Sequence, residues 1–267
     1  MGADTKQLRN RIKSVDSTLH LTKAMGLVAS SKIRRATDAM NKSRAYAKAI
    51  NNLIKLLAVS PECAKSPFMT EREGNRTRII IIAGDRGLAG GYNANIFRLA
   101  KEYPDAEFIP IGKRACDRFK GEFYGAEAFT SADAVKLAEM LCADFADGKF
   151  DRLGIISTKY VSMMTQEAQI NWILPLHKEE GARNTSILFE PNEAEILKTA
   201  IVEYVAGTVT AHVRESFASE VAARRTAMDS AGKNAQQMID DLQLEYNRAR
   251  QGAITQELTE IVAGSGA

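Results

Sequence analysis

The chain has 267 residues, of which 45% are hydrophobic and 26% are charged, an ordinary composition for a soluble globular protein. A membrane-spanning helix is not expected, because the longest strong apolar run, Ile79–Ala83, is far shorter than the ~18 residues that such a helix needs. The first twenty residues are polar, so we expect no signal peptide. The odd number and wide spacing of the cysteines predict free thiols in a reducing compartment, and the scattered histidines give no metal-binding pattern. These residues are Cys63, Cys116, Cys142, His20, His177 and His212.

Positive charge is concentrated at the start of the chain. Residues 1–60 contain 12 lysines and arginines but only 3 acidic residues, which gives this segment a net charge of +9. The remainder carries −6, since the whole chain carries +3. A basic segment of this kind indicates an acidic partner, and nucleic acid, anionic lipid or acidic protein loops would each fit.

Residues 4–59 are predicted to form one long helix. Asp4 can cap it, with Gln7 in the capping-box position, and Ser60-Pro61 ends it. Apolar and small residues recur in alternating steps of four and three, which is the heptad pattern of a coiled coil. Small residues in the middle of the pattern allow two backbones to approach closely but bury little apolar area. The positions are Leu8, Ile12, Val15, Leu19, Thr22, Gly26, Ala29, Ile33, Ala36, Met40, Ser43, Ala47, Ile50, Ile54 and Leu57.

The middle of the chain, residues 60–191, begins with a linker at 60–76 and then alternates between strand and helix patterns. Strands are predicted at 78–83, 106–111, 152–157 and 168–174. Helices are predicted at 93–101, at 113–119, and from Thr130 or Ser131 to about 146. The alternation predicts a small, mostly parallel, Rossmann-like α/β domain inserted between two long helices.

The last segment, residues 192–267, is predicted to be the second long helix. Asn192 and Glu195 can form a capping box, and no proline occurs after Pro191. Roughly 70 helical residues would extend about 105 Å, so we expect this helix to need a partner and to form an antiparallel coiled coil with the first helix.

The ends of the two helices also predict which residues face each other. If both helices meet the inserted domain, the numbers of opposed residues sum to roughly 251. Residues 248–262 then extend beyond the first helix. Because they still carry apolar residues at helical spacing, a second protein is predicted to surround them. The apolar residues are Ile254, Leu258, Ile261 and Val262.

The glycine-rich loop at 84–91 follows a predicted strand and precedes a helix, which is where phosphates bind in nucleotide-binding folds. Its glycines fit neither the G-x-G-x-x-G fingerprint nor a P-loop, and the second strand lacks the acidic residue that would hold a ribose. We therefore expect a tight turn, a local Asp85–Arg86 pair and no bound cofactor or metal.

The residues alone leave other functions open. One is a nucleotide-binding α/β enzyme with helical arms, although no nucleophile elbow or other catalytic set occurs. Another is a basic coiled-coil scaffold for nucleic acid, although the basic segment contains few aromatic residues that could stack on bases.

Four segments carry a family resemblance. They are LTKAM at 21–25 with VASSKIR at 28–34, DRGL at 85–88 with Asn93, FASE at 217–220 with ARRTAM at 223–228, and RQGAITQELTEIV at 250–262. Together they resemble the gamma subunit of the F-type ATP synthase, and the resemblance covers the whole chain in the same order.

The resemblance implies a rotary shaft. Such a shaft couples ion-driven rotation of a c-ring, by protons or sodium ions, to ATP synthesis or hydrolysis in the catalytic beta subunits. The implied partners are the ring of alpha and beta subunits, the epsilon subunit and the c-ring, with one copy per complex and no nucleic acid. The implied location is peripheral, at the cytoplasmic face of the bacterial cell membrane. Catalysis belongs to the beta subunits, so this chain is expected to be non-catalytic.

The resemblance also implies which residues make contacts. Lys23 and Met25 would face the acidic lever loop of a beta subunit, and Arg34 would belong with Lys23 to the basic side chains on this part of the first helix. Arg250 and Gln251 would engage loops of the ring. Tyr204 would lie near the c-ring or the epsilon subunit.

Overall fold

The computed structural model describes residues 2–122, 124–178 and 189–265, with side chains from residue 5 onward. The chain divides into two compact units, one formed by residues 1–29 and 225–267 and the other by residues 30–224. The side chain of Asp4, predicted to cap the first helix, lies outside the described residues. The division into segments 1–59, 60–191 and 192–267 stays a prediction.

Helices and strands follow the predicted order, with small shifts at their ends. In chain order they are α1 (Gly2–Val59), a 3-10 turn (Cys63–Lys65), β1 (Thr77–Ile82), α2 (Tyr92–Ala100), β2 (Glu107–Ile111), α3 (Lys113–Cys116), α4 (Ser131–Ala146), β3 (Arg152–Tyr160), β4 (Gln166–Leu174) and α5 (Glu193–Ser265).

In the first unit, α1 and α5 pair in antiparallel fashion. A guanidinium nitrogen of Arg9 donates to the hydroxyl of Tyr246 at 3.1 Å, and a Cβ placed on Gly26 would lie 3.7 Å from the Cβ of Met228. The residue numbers of these two pairs sum to 255 and 254. These sums exceed the predicted 251 by 4 and 3, which is about one helical turn. The antiparallel register is therefore confirmed to within one turn. Leu19, Ala235 and Ile239 form the small apolar core of this unit.

In the second unit, α1 and α5 are also antiparallel. The hydroxyl of Tyr46 donates to Glu203 at 2.9 Å, and Ser60 donates to Glu193 at 2.6 Å. The first turn of α5 is capped as predicted, because Asn192 Oδ1 accepts the backbone N–H of Glu195 at 2.9 Å.

The sheet of the second unit has the strand order β2-β1-β3-β4. β1 is parallel to both β2 and β3, and β4 is antiparallel to β3, so the mostly parallel sheet is confirmed. Both faces of β1 are buried, which explains its run of isoleucines. Ile79 and Ile81 pack on the side of α2 and α3, whereas Ile80 and Ile82 face the larger core that includes residues of α4 and α5.

Candidate contact surfaces

The end of α5 carries an exposed apolar stripe. Tyr246 is the last residue of α5 with a described contact to α1. Beyond it, Arg250 and Gln251 are exposed, and so are apolar side chains that belong to no hydrophobic cluster of the described residues. The exposed fractions are 49% for Ile254, 58% for Leu258, 67% for Ile261 and 69% for Val262. Because the pair numbers sum to about 254 and α1 begins at Gly2, the overhang is confirmed from Ile254 onward rather than from residue 248. An uncovered stripe of this kind is typical of a surface that another protein covers.

A second candidate surface lies on α1 in the first unit. Lys23 is exposed and Met25 is partly buried. Close to them in sequence, Leu21, Leu27 and Val28 are exposed, with Leu27 at 72%. The combination of a basic residue with exposed apolar residues is suited to an acidic partner that also has apolar side chains. The sequence analysis selected Lys23 and Met25 but not Leu27. Leu27 lies off the heptad positions, so its exposure could have been predicted from the pattern.

The structure does not bring Lys23 and Arg250 together. Thr22 Oγ1 would lie 3.6 Å from a Cβ on Gly232, so this part of α1 faces α5 near residue 232. Arg250 lies 18 residues further along α5, which corresponds to about 27 Å of helix. The two predicted contact sets in this unit are therefore separate surfaces.

Two further predicted contact residues lie in the second unit. Arg34 is exposed on α1. Tyr204 on α5 is partly buried and packs against the main hydrophobic core, and this burial raises the pKa of its phenol. Its assignment to the c-ring or the epsilon subunit stays a prediction.

The glycine loop is organised by Asp85. Its Oδ1 accepts the backbone N–H groups of Lys113 and Ala126 at 3.0 Å each, and its Oδ2 accepts that of Glu127 at 2.9 Å. The predicted Asp85–Arg86 pair is therefore wrong. The carboxylate of Asp85 accepts these backbone N–H groups instead of pairing with the exposed Arg86 side chain, and short acidic side chains commonly make such hydrogen bonds to nearby backbone.

A buried ion pair fixes the same loop to α5. Arg224 donates to Glu220 and to the backbone oxygen of Gly87 at 3.2 Å, and the Glu220 side chain is only 4% exposed. Burial raises the pKa of Glu220, and the hydrogen bond from Arg224 opposes that rise. A Cβ on Gly84 would lie 2.7 Å from the Glu220 carboxyl carbon, so glycine is required for this close approach.

These contacts argue against a phosphate in the loop. The carboxylate of Glu220 lies beside Gly84 and is paired with Arg224, so an anion there would compete with it for the same guanidinium. Asp85 already occupies backbone N–H groups near the loop. Among the described residues, no group of three or more His, Cys, Asp or Glu side chains could hold a metal ion. The cysteines are free, as predicted, and no described helix is long and apolar enough to cross a bilayer.

Comparison with known proteins identifies the family. The family model described as ATP synthase matches residues 4–267. The ATP synthase gamma chain of Ruminococcus albus is 40% identical over 281 aligned positions, which cover 98% of each chain. This chain belongs to the ATP synthase gamma chain family. The sequence resemblance is thereby confirmed.

Solved structures share the fold of this gamma chain. A chain of the central stalk and c-ring of the Tetrahymena thermophila mitochondrial ATP synthase has a TM-score of 0.64 at 20% identity, covering 79% of this chain and 99% of that one. A rotor chain of the Euglena gracilis mitochondrial enzyme has a TM-score of 0.67 at 17% identity, covering 95% and 100%. A chain from another Euglena gracilis structure, of OSCP, F1 and c-ring, has a TM-score of 0.69 at 18% identity, covering 100% and 95%.

Sequence reasoning missed the internal contacts of the gamma chain. Glu220 and Arg224 are four residues apart on a helix, a spacing that favours an ion pair, but nothing in the sequence shows that the pair is buried against a loop more than 130 residues earlier. The same holds for Asp85, because the backbone N–H groups that donate to its carboxylate lie 28 to 42 residues downstream.

Proposed function

We propose that this gamma chain is the central rotor shaft of an F-type ATP synthase. It couples rotation of a c-ring, driven by protons or sodium ions, to ATP synthesis or hydrolysis in the catalytic beta subunits. The observation that carries the proposal is the relationship to the Ruminococcus albus gamma chain over almost the full length of both chains. The exposed stripe at the end of α5 supports it, because a shaft inside a ring of subunits has its apolar tip covered by that ring.

The proposal assigns partners to the exposed surfaces. Lys23, Met25 and Arg34 face the beta subunits, and basic side chains suit this role because charge attraction tolerates several rotation angles better than close packing does. Arg250 and Gln251 engage loops of the alpha–beta ring.

The proposal assigns Tyr204 to the c-ring or the epsilon subunit. One copy serves each complex, which is peripheral at the cytoplasmic face of the bacterial membrane. The gamma chain supplies no catalytic residue and binds no nucleic acid.

Reconstitution tests the proposal. Purified chain alone is expected to hydrolyse no ATP, whereas alpha and beta subunits with the chain are expected to assemble and sustain hydrolysis better than without it. ATP turnover by the isolated chain after rigorous removal of beta would favour a nucleotide-binding enzyme. Salt-dependent DNA binding together with no effect on the alpha–beta ring would favour the nucleic-acid scaffold.

A further inference from the structure

The end of β3 extends beyond its parallel neighbour. The pairing of β1 with β3 ends at Ile81 and Ile156, whereas the pairing of β3 with β4 continues to Tyr160 and Gln166. Among the described strands, residues 157–160 therefore have a neighbour on one side only. Backbone groups on the other side need hydrogen-bonding partners from elsewhere, because they are close to the interior.

Side chains of α5 supply those partners. The backbone N–H of Thr158 donates to Ser216 Oγ at 3.2 Å, and its C=O accepts from Ser219 Oγ at 3.3 Å. The N–H of Tyr160 donates to Glu215 Oε1 at 2.9 Å. Thr158, Ser216 and Ser219 are at most 3% exposed. The helix thus replaces the missing strand, and it does so at alternate residues of β3, as a strand would.

Neighbouring contacts complete this surface, which we call the β3–α5 joint. Arg44 of α1 donates to Glu215 at 2.6 Å and to the C=O of Tyr160 at 3.2 Å. Ser157 Oγ lies 2.9 Å from His212 Nδ1. The joint is defined by Ser157, Thr158 and Tyr160 of β3, by His212, Glu215, Ser216 and Ser219 of α5, and by Arg44 of α1.

We propose that the β3–α5 joint is the torque-bearing connection between the sheet and the helical shaft. Apolar packing is not directional and allows two surfaces to slide, whereas hydrogen bonds lose strength steeply when their angles change. A twist of α5 relative to the sheet would strain several buried hydrogen bonds together. Their polar groups would then be left without water or partner, which opposes the movement. This role rests on the proposed function.

The test uses the full chain with Ser216→Ala and Ser219→Ala together, which removes both side-chain partners of Thr158. Ser230→Ala, at an exposed serine of α5, is the matched control. Hydrogen exchange of the Thr158 amide is expected to rise at least about tenfold in the double variant only. The amide of Ile155, which lies between β1 and β4, is expected to keep its exchange rate.

The functional arm uses the complete ATP synthase in sealed vesicles. The double variant is expected to lower the number of ions pumped per ATP hydrolysed by at least about half, while ATP hydrolysis continues. Arg44→Ala is a second variant that leaves the buried serines intact, with Lys48→Ala as its control, and it should lower the same ratio.

Two results would overturn the inference while leaving the proposed function in place. One is faster exchange at Thr158 with an unchanged pumping ratio, which would make the joint a purely structural contact. The other is unchanged exchange at Thr158. If the wild-type chain itself supports no pumping in an otherwise complete complex, the proposed function fails, and the torque role fails with it.

Discussion

His212 Nδ1 of α5 lies 2.9 Å from Ser157 Oγ of β3, so a titratable ring takes part in holding the sheet against the long helix. Burial lowers the pKa of His212. Glu215 opposes this shift and Arg44 adds to it. The folded chain therefore holds this imidazole neutral at pH values where an unfolded chain would protonate it.

We predict a loss of stability in mild acid that depends on His212. Because the folded pKa lies below the ordinary value of 6.5, the unfolded state binds more protons once the pH falls below about 6.5. The stability present above that pH is lost at up to about 1.4 kcal/mol per pH unit until the folded pKa is reached. Urea denaturation of the isolated chain between pH 5 and 8 measures this. His212→Asn should flatten the dependence, and His20→Asn, at an exposed site, should not. An identical slope in both variants would contradict the prediction.

Replacing Asp85 is expected to loosen the glycine loop. In Asp85→Asn, an amide nitrogen cannot accept the backbone N–H that one carboxylate oxygen now accepts, and the remaining hydrogen bonds lose their charge. We expect a loss of about 1–3 kcal/mol in the free energy of unfolding. Asp105→Asn, at an exposed site, is the control and should change stability by less than about 0.5 kcal/mol. Equal stability of the two variants would show that the three hydrogen bonds contribute nothing.

Gly112→Ala is expected to be severely destabilising. Gly112 has φ of 94°, and a Cβ there would lie 1.9 Å from the carbonyl oxygen of Ala83. Backbone movement is needed to remove that clash, at a cost of about 3 kcal/mol or more. Gly252→Ala is the contrasting control, since an added Cβ meets no described atom within 4 Å outside the neighbouring backbone of its own helix, and alanine favours the helix. Thermal unfolding of both variants decides the matter, and similar melting temperatures would refute the steric argument.

Reversing charge on α1 is expected to impair coupling more than folding. Lys23 and Arg34 are both exposed, and exposed charges contribute only about 0–1 kcal/mol to stability. Lys23→Glu with Arg34→Glu should therefore leave the melting temperature of the isolated chain almost unchanged while lowering ATP-driven pumping by the complex. Lys48→Glu reverses an exposed charge elsewhere on the same helix and serves as the control. A large fall in melting temperature would make these residues structural.

Polar substitution in the exposed apolar stripe at the end of α5 is expected to weaken assembly without changing the stability of the isolated chain. Ile254→Gln with Leu258→Gln removes two exposed apolar side chains that have no hydrophobic cluster to support. Unfolding of the isolated chain should be unchanged, whereas association with alpha and beta subunits should weaken, because less apolar area is removed from water. Glu257→Gln changes the same turn without altering apolar area. Undiminished association of the double variant would argue that the tip is not enclosed.

Local patterns were sufficient to predict the helices, the sheet and the antiparallel register. Apolar residues in steps of three and four predict the buried face of α1, and the continuous apolar run Ile79–Ala83 predicts a buried strand. Thr130 caps α4 through a full capping box with Asp133, which is also a local signal. The overhang of α5 followed from comparing the ends of the two long helices.

The polar contacts could not be predicted in the same way. Ser216 and Ser219 resemble any small residues in a helix, and their partner Thr158 is about 60 residues earlier in the chain. Whether a serine lies in solvent or completes the edge of a strand depends on tertiary packing that a single sequence does not display. Lys23, Arg34, Arg250 and Tyr204 were selected through family resemblance, and the exposure of the first three is compatible with intermolecular contacts.

The antiparallel pairing of the two ends has a consequence for the order of folding. Arg9 and Tyr246 are 237 residues apart, so α1 leaves the ribosome long before its partner segment of α5 is made. At a synthesis rate of roughly 5–20 residues per second, the interval is about 10–50 s. During that time the apolar positions near Ile12 and Leu19 lack the part of α5 that they pack against, whereas the sheet can already pack against α2 and α3. We therefore expect the growing chain to be most vulnerable to aggregation through this part of α1, and chaperone binding to nascent chains should concentrate there.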